Sequence, residues 1–149
     1  MCKCLYCYKS LAEGERDMHA ACVKTFFGTN HIPTLDDTIK QLDDLAKQVI
    51  QDQTSLTGVQ PKLSLHLQEY EGSKRLTLVG LWGTYICKPQ TTHYAMLPEI
   101  EDLTMHLAEL ARIDVVPHTL MRMADGSLCY LTRRIDRTLG GKKSPLYPQ

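Results

Sequence analysis

Apolar and polar residues alternate through the middle of the chain, and this alternation predicts β-strands. Leu63, Leu65 and Leu67 are separated by polar residues, a period of two that is typical of a half-buried strand. The dipeptide Asp125-Gly126 is a strong signal for the turn of a β-hairpin. The strands that the pattern predicts cover residues 62–68, 75–80, 83–89, 118–123 and 127–133.

Two other segments repeat apolar residues every three to four positions, which predicts amphipathic helices. The first lies within 31–53, with Thr34 as its candidate N-cap. Its apolar stripe is expected to pack on the domain that follows, with binding to a partner as the alternative. The second begins at Pro98 and Glu99, because proline and an acidic residue favour the first turn of a helix. The residues expected to form its buried stripe are Ile100, Leu103, Leu107, Leu110 and Ala111.

The order of these elements predicts an α+β fold in which an antiparallel sheet carries one main packed helix. We expect a small N-terminal module and an amphipathic helix before the sheet. The last segment contains Gly140-Gly141 and Lys142-Lys143, a composition typical of a tail in which an ordered chain becomes disordered. The predicted segments are 1–30, 31–53, 54–137 and 138–149.

The composition argues against several classes of function. Seventeen basic and seventeen acidic residues give a net charge of zero, so no overall field favours nucleic acid or a membrane surface. No apolar run approaches the roughly 20 residues of a membrane span, and the N-terminus is not followed by a signal-peptide core. The chain is therefore expected to be cytoplasmic. In that compartment six cysteines are better explained as metal ligands or buried thiols than as disulfides.

The N-terminal module contains two close pairs of metal-ligand residues. Cys4 and Cys7 form a C-x2-C pair, and His19 and Cys22 form an H-x2-C pair. These four side chains fit a closed, tetrahedral and structural zinc site. The segment between the pairs has too few apolar residues to fold alone, so metal binding would supply folding energy. Cys2 is an alternative ligand, and free surface thiols with an exposed histidine are the alternative without metal.

A hydroxyl-rich turn, a strand lysine and a helix carboxylate follow one another in the predicted domain. The turn at 54–61 contains Gly58 and suits a loop whose backbone approaches phosphates closely. Lys88 ends an apolar strand, where it is either an ordinary surface lysine or a phosphate ligand. Glu101 lies on the first turn of the second helix and can hold the Lys88 ammonium. This order is that of the small ATP-binding lobe of protein kinases.

Four stretches resemble the beginning of HipA-type serine/threonine kinases, the toxin components of bacterial toxin–antitoxin pairs. The resemblance covers about residues 50–137, and the N-terminal module is similar to the zinc-ribbon-like start of some relatives. The four stretches are Ser55-Leu56-Thr57-Gly58-Val59-Gln60-Pro61-Lys62, Ile86-Cys87-Lys88, Glu101-Asp102-Leu103 and Arg133-Arg134-Ile135-Asp136-Arg137.

The resemblance implies an ATP site in which Lys88 contacts the phosphates and Glu101 pairs with Lys88. It also implies that Ser55 is a site of autophosphorylation, with Thr57 as a second candidate, which intact-mass spectra would reveal as added phosphate. A phosphate loop and a hinge beside the adenine base complete the implied site. The residues implied to bind ATP are Gly58, Val59, Gln60, Lys88, Glu101, Arg134, Ile135 and Asp136.

No catalytic residue is implied for this sequence. HipA-type kinases carry a catalytic aspartate, its neighbouring asparagine and a metal-binding aspartate in a helical lobe after the hinge, and no such motif follows Arg137. We therefore expect a truncated or split kinase that is inactive alone and binds magnesium only with a C-terminal lobe. That lobe, encoded separately, and an antitoxin are the expected partners, whereas nucleic acid is not. The alternative is a non-enzymatic zinc-containing α+β module that binds a protein partner or nucleic acid as a regulator.

Overall fold

The computed structural model describes residues 2–35, 44, 62–79, 83–92 and 94–136. The described chain is α+β and confirms every predicted strand, with ends that shift by at most two residues. None of its helices has both the length and the apolar character needed to cross a bilayer. The predictions for 36–43, 45–61 and 137–149 fall outside the described residues. The elements are α1 (Ala20–Phe27), β1 (Leu63–Tyr70), β2 (Ser73–Leu78), β3 (Tyr85–Pro89), α2 (Leu97–Leu110), β4 (His118–Arg122) and β5 (Leu128–Arg133).

The five strands form one antiparallel sheet in the order β2-β1-β3-β5-β4. Its register pairs Leu63 with Cys87 and Leu65 with Tyr85, and then Cys87 with Leu131. Because successive side chains of a strand point to opposite faces, these five residues share one face. All five are buried, so this face of the sheet is the core face.

The N-terminal segment covers the core face of the sheet. Val23, Phe26 and Phe27 of α1 are buried, and the rings of Phe26 and Phe27 each lie 5.8 Å from the ring of Tyr85. Cys4 joins the same apolar cluster. Each fully buried side chain of this size contributes about 1.5 to 3 kcal/mol to stability. The described parts of the N-terminal segment and the sheet therefore stabilise one another, while the predicted segment boundaries stay predictions.

The N-terminal segment also contacts both outer strands of the sheet. The Leu5 carbonyl accepts a hydrogen bond from the Leu120 N–H on β4, at 3.3 Å. At the opposite edge Thr34 donates to the Lys74 carbonyl (3.2 Å) and accepts from the Leu76 N–H (3.0 Å) on β2. Exposed strand edges are templates for pairing with other chains, so these contacts protect the sheet from edge-to-edge association.

A close backbone contact at Gly83 and the long side chain of Arg133 connect further parts of the chain to this core. Gly83 donates to the Ser64 hydroxyl at 2.7 Å, and a Cβ at this position would collide with the backbone of Leu65. Arg133 at the end of β5 donates to the Phe26 carbonyl at 3.1 Å, at the C-terminus of α1. A cation there satisfies a free helix carbonyl and favours the helix dipole.

The prediction of a buried apolar stripe on α2 is wrong. Ile100, Leu103, Leu107 and Leu110 are between 48% and 81% exposed, and Ala111 is exposed as well. The buried residues of α2 are instead Pro98 and Asp102. The helix packs on β4 and β5 through a polar side, because Asp102 has one hydrogen-bond partner in His118 of β4 and another in Tyr8 of the N-terminal segment. The apolar stripe of α2 therefore faces outward in the described structure.

Candidate functional site

A cleft of about 550 Å³ lies beside α2, on the face of the sheet opposite the core. Its polar lining comes from β3, β5, α2, the segment after β5 and Lys62 before β1, and Ile86 and Tyr130 form part of its wall. The structure brings together five of the residues implied to bind ATP, while Gly58, Val59 and Gln60, and also Ser55 and Thr57, lie outside the described residues. The five that line the cleft are Lys88, Glu101, Arg134, Ile135 and Asp136.

Lys88 and Glu101 form an ion pair within this cleft. The alternation of β3 places Cys87 in the core and turns Lys88 towards α2, where its ammonium donates to Glu101 Oε1. The two side chains are only 22% and 24% exposed. The Lys88 ammonium also lies 5.5 Å from the centre of the Tyr130 ring, a distance at which the ring face attracts a cation. The lysine is therefore held in place from two sides.

A second ion pair lies at the rim of the cleft. Arg134 donates from Nε to Asp136 Oδ1 at 2.9 Å and from Nη2 to Oδ2 at 2.6 Å, which is the bidentate arrangement. The Asp136 carboxylate raises the pKa of the Arg134 guanidinium further above its ordinary value. The Arg134 N–H donates to the Thr84 carbonyl at 2.8 Å, so the chain stays attached to the sheet beyond β5. Together these contacts give the rim a defined shape.

Behind the Lys88–Glu101 pair, a polar cluster surrounds the buried Asp102 and His118 and includes Tyr8, His106 and the half-exposed Glu109; we call it the buried polar cluster. Asp102 has no exposed surface, and its two oxygens accept from Tyr8 Oη and from His118 Nδ1, each at 2.7 Å. His118 Nε2 lies 3.2 Å from Glu109 Oε1, so a carboxylate faces each ring nitrogen and the pair favours the protonated ring. The rings of Tyr8 and His106 are 4.1 Å apart. Sequence reasoning missed this cluster, because its members come from three distant stretches without a shared motif.

Ion pairs and hydrogen bonds hold the protons of the buried polar cluster. Ligand atoms of Asp102, His106 and His118 lie within 4.8 Å of one another. Both oxygens of Asp102, however, already accept direct hydrogen bonds. Burial would lower the pKa of His118, but the Asp102 and Glu109 carboxylates outweigh it and raise that pKa. Burial, together with Asp102, also raises the pKa of Tyr8, which therefore stays a donor.

The raised pKa of His118 predicts that stability decreases as the pH rises above neutrality. The folded chain binds this proton more tightly than the unfolded chain, so the stabilisation is complete below about pH 6.5, the ordinary histidine pKa. It is lost as the pH rises through the folded-state pKa. Urea unfolding at a series of pH values above about 6.5 would measure the loss. His118→Gln should remove this part of the slope, and an equal slope in the variant would contradict the assignment.

The four predicted metal ligands also meet in space, and we call Cys4, Cys7, His19 and Cys22 the Cys/His cluster. Their ligand atoms lie within 4.8 Å of one another. His19 Nδ1 is 3.4 Å from Cys7 Sγ and 3.8 Å from Cys22 Sγ. Around a tetrahedral zinc ion, a nitrogen and a sulfur ligand at bonding distance lie about 3.6 Å apart. The four residues therefore fit a zinc ion, whose binding stays a prediction.

The surroundings of the Cys/His cluster suit a metal in two further respects. His19 Nε2 lies 3.1 Å from the Ser10 carbonyl, and donation to this oxygen leaves Nδ1 unprotonated as a ligand. Burial opposes ionisation of Cys4, but backbone N–H groups of Cys7, His19 and Tyr6 lower its pKa to about 7. Burial and the neighbouring thiols raise the pKa of Cys22 to about 12. A bound cation would allow several thiolates to coexist. Cys2 is exposed and lies outside the cluster.

Comparison with known proteins gives a family match over more than half of the chain. A family profile described as the HipA-like C-terminal domain matches residues 54–147. No curated protein matches. Among the matching solved structures is HipA of the toxin–antitoxin system of Shewanella oneidensis MR-1, in complex with HipB and its operator DNA. It is 21% identical with a TM-score of 0.38, and the match covers 93% of this chain but 35% of that HipA chain.

Proposed function

The chain belongs to the family of HipA-like C-terminal domains, and from this premise we propose that its cleft binds ATP as the small lobe of a HipA-type kinase. The observation that carries the proposal is the Lys88–Glu101 ion pair inside a cleft of about 550 Å³. A kinase small lobe uses a strand lysine of this kind for the phosphates and a helix glutamate to hold it. Membership of a toxin–antitoxin system and an antitoxin partner belong to the same proposal.

The lining of the cleft suits the two ends of a nucleotide. The Lys88 ammonium is a compact cation with three N–H donors. Its hydrogen bond to Glu101 uses one of them, so the others can bind phosphate oxygens. Phosphate oxygens would therefore bind beside Glu101 with only a small movement of the lysine. Ile86 and Ile135 form an apolar part of the wall, where a purine ring would pack. The Arg134–Asp136 pair would then bound the adenine side of the site.

Phosphotransfer needs more than the described cleft provides. The carboxylates that line it, Glu101 and Asp136, are already paired with Lys88 and Arg134. A general base and magnesium ligands require further carboxylates. We therefore assign these groups to a C-terminal lobe, which would complete an active serine/threonine kinase. The family match does not favour the alternative of a non-enzymatic regulatory module.

Titration calorimetry with Mg-ATP tests nucleotide binding directly. We expect wild-type protein to bind and Lys88→Ala to bind about 10- to 100-fold more weakly, because one charge-assisted interaction with phosphate is lost. Lys74→Ala is the matched control, since Lys74 also pairs with a glutamate, Glu69 at 2.6 Å, but lies on the hairpin of β1 and β2. The control should bind like wild type. Equal affinity in all three proteins, or no binding by wild type, would overturn the proposal.

A further inference from the structure

We propose that Tyr8 is a positioning residue for the Lys88–Glu101 pair and acts through Asp102. The Tyr8 hydroxyl donates to Asp102 Oδ2 at 2.7 Å, and Asp102 is the neighbour of Glu101 on α2. The N-terminal Cys/His cluster would thereby determine the geometry of a cleft that it does not line. The inference deepens the proposed function, and its consequence for ATP rests on that function.

Tyr8 is held firmly by the turn that carries the first two cysteines. Its N–H donates to the Cys4 carbonyl at 3.0 Å, and the Cys4 N–H donates to the Lys9 carbonyl at 2.9 Å. Tyr8 has a φ of 61°, a left-handed conformation that a residue other than glycine adopts only where its surroundings impose it. The direction of the Tyr8 side chain is therefore a consequence of the fold around Cys4 and Cys7.

The contact of Tyr8 with Asp102 determines how α2 is rotated about its axis. Neighbouring residues of an α-helix differ by about 100° around the axis, so an inward Asp102 defines the direction of Glu101. Apolar packing does little to oppose another rotation, because Leu103, Leu107 and Leu110 of α2 are exposed. Asp102 and Pro98 are the buried residues of this helix. The hydrogen bonds of Asp102 to Tyr8 and His118 are thus the anchor that directs Glu101 to Lys88.

Acylation of lysines, followed by peptide mass spectrometry, tests the inference without nucleotide. An amine that is held by a carboxylate is protected, because it must leave its partner before it attacks the reagent. The measured quantity is the acylation rate of Lys88 relative to that of Lys74 in the same protein. We expect Tyr8→Phe to raise this ratio about fivefold, and Glu101→Gln to raise it by a similar factor. In the double variant Tyr8→Phe should add nothing further.

The double variant separates positioning from a general structural role. A tyrosine that only stabilised the fold would change the ratio by the same factor with Gln or Glu at 101.

Tyr6→Phe is the matched control, because Tyr6 lies in the same turn but packs on Phe26, with ring centres 6.0 Å apart. It should leave the ratio unchanged. Tyr8→Phe keeps the ring that packs on His106, and its circular dichroism should match that of wild type. Asp102→Asn gives a second test, with the same direction of change.

Two outcomes would overturn the inference. One is an acylation ratio of Lys88 to Lys74 that Tyr8→Phe leaves unchanged. The other is a Tyr8→Phe effect on this ratio that is equally large in the wild-type background and in the Glu101→Gln background. Failure of the proposed function has a different signature. Wild-type protein that binds no Mg-ATP, combined with the expected acylation pattern, would reject the nucleotide site and leave the role of Tyr8 supported. Wild-type protein that binds Mg-ATP, combined with an unchanged ratio, would reject the role of Tyr8 alone.

Discussion

Replacement of Cys22 by alanine is expected to abolish metal binding and to unfold much of the chain. Cys22 lies in α1, beside the buried Val23, and the Cys/His cluster joins this helix to the Cys4–Cys7 turn. Structural zinc contributes about 10 to 16 kcal/mol to the folding of zinc-finger peptides, as much as the whole stability of a typical domain, about 5 to 15 kcal/mol. Loss of α1 would also uncover Tyr85 and the core face of the sheet.

The measurement combines metal analysis with urea unfolding followed by circular dichroism. Wild type should carry about one zinc ion per chain, and Cys22→Ala none. Cys2→Ala is the matched control, because Cys2 is an exposed thiol next to the cluster but outside it. This control should keep both its metal and its stability. A wild-type protein without metal but with an intact fold would remove the zinc prediction.

Replacement of Asp102 by alanine is expected to lower the free energy of unfolding by about 3 to 5 kcal/mol, since it removes one partner of a buried ion pair. The His118 imidazolium would lose its closest carboxylate, which lies 2.7 Å away, while its ring is only 3% exposed. The Tyr8 hydroxyl would lose its acceptor as well. Urea unfolding at pH 6, below the ordinary histidine pKa of about 6.5 and further below the raised pKa of His118, measures the full effect.

Glu109→Ala provides the control for Asp102→Ala, because it removes the other carboxylate that contacts His118. Glu109 is 49% exposed and lies 3.2 Å from the ring, so solvent screens its charge. Its replacement should cost less than about 1 kcal/mol. Similar losses for the two variants would show that burial does not distinguish the two ion pairs. That result would contradict the interpretation of Asp102 as the anchor of α2.

The strands were predictable because their signal is local. Alternation in β1 and the Asp125-Gly126 turn between β4 and β5 depend on near neighbours in the sequence, and all five strands are confirmed. The ion pair of Lys88 with Glu101 was accessible for a related reason. The order of a hydroxyl-rich turn, a strand lysine and a helix carboxylate is that of the kinase small lobe, and the described structure places the two side chains in an ion pair. Two of the six cysteines, Cys87 and Cys129, are fully buried thiols.

The buried polar cluster and the rotation of α2 were not predictable in this way. The stripe that includes Ile100 and Leu103 is a genuine periodic pattern, but the prediction that it forms the buried face of α2 is wrong. Periodicity defines a face, but burial of that face also requires a partner surface. Asp102 has its partners in Tyr8 and His118, which come from opposite ends of the described chain.

The sequence by itself determined the succession of strands along the α+β chain, the four residues of the Cys/His cluster and the family to which the chain belongs, because each depends on residue types at short spacing. Only the tertiary structure decided that the N-terminal segment covers the core face of the sheet and that α2 turns Asp102 inward. These features depend on contacts between residues far apart in the chain. Burial of a carboxylate that has two hydrogen-bond donors stabilises α2 more than burial of an apolar stripe that has no partner surface. No local sequence pattern shows which of the two faces has partners.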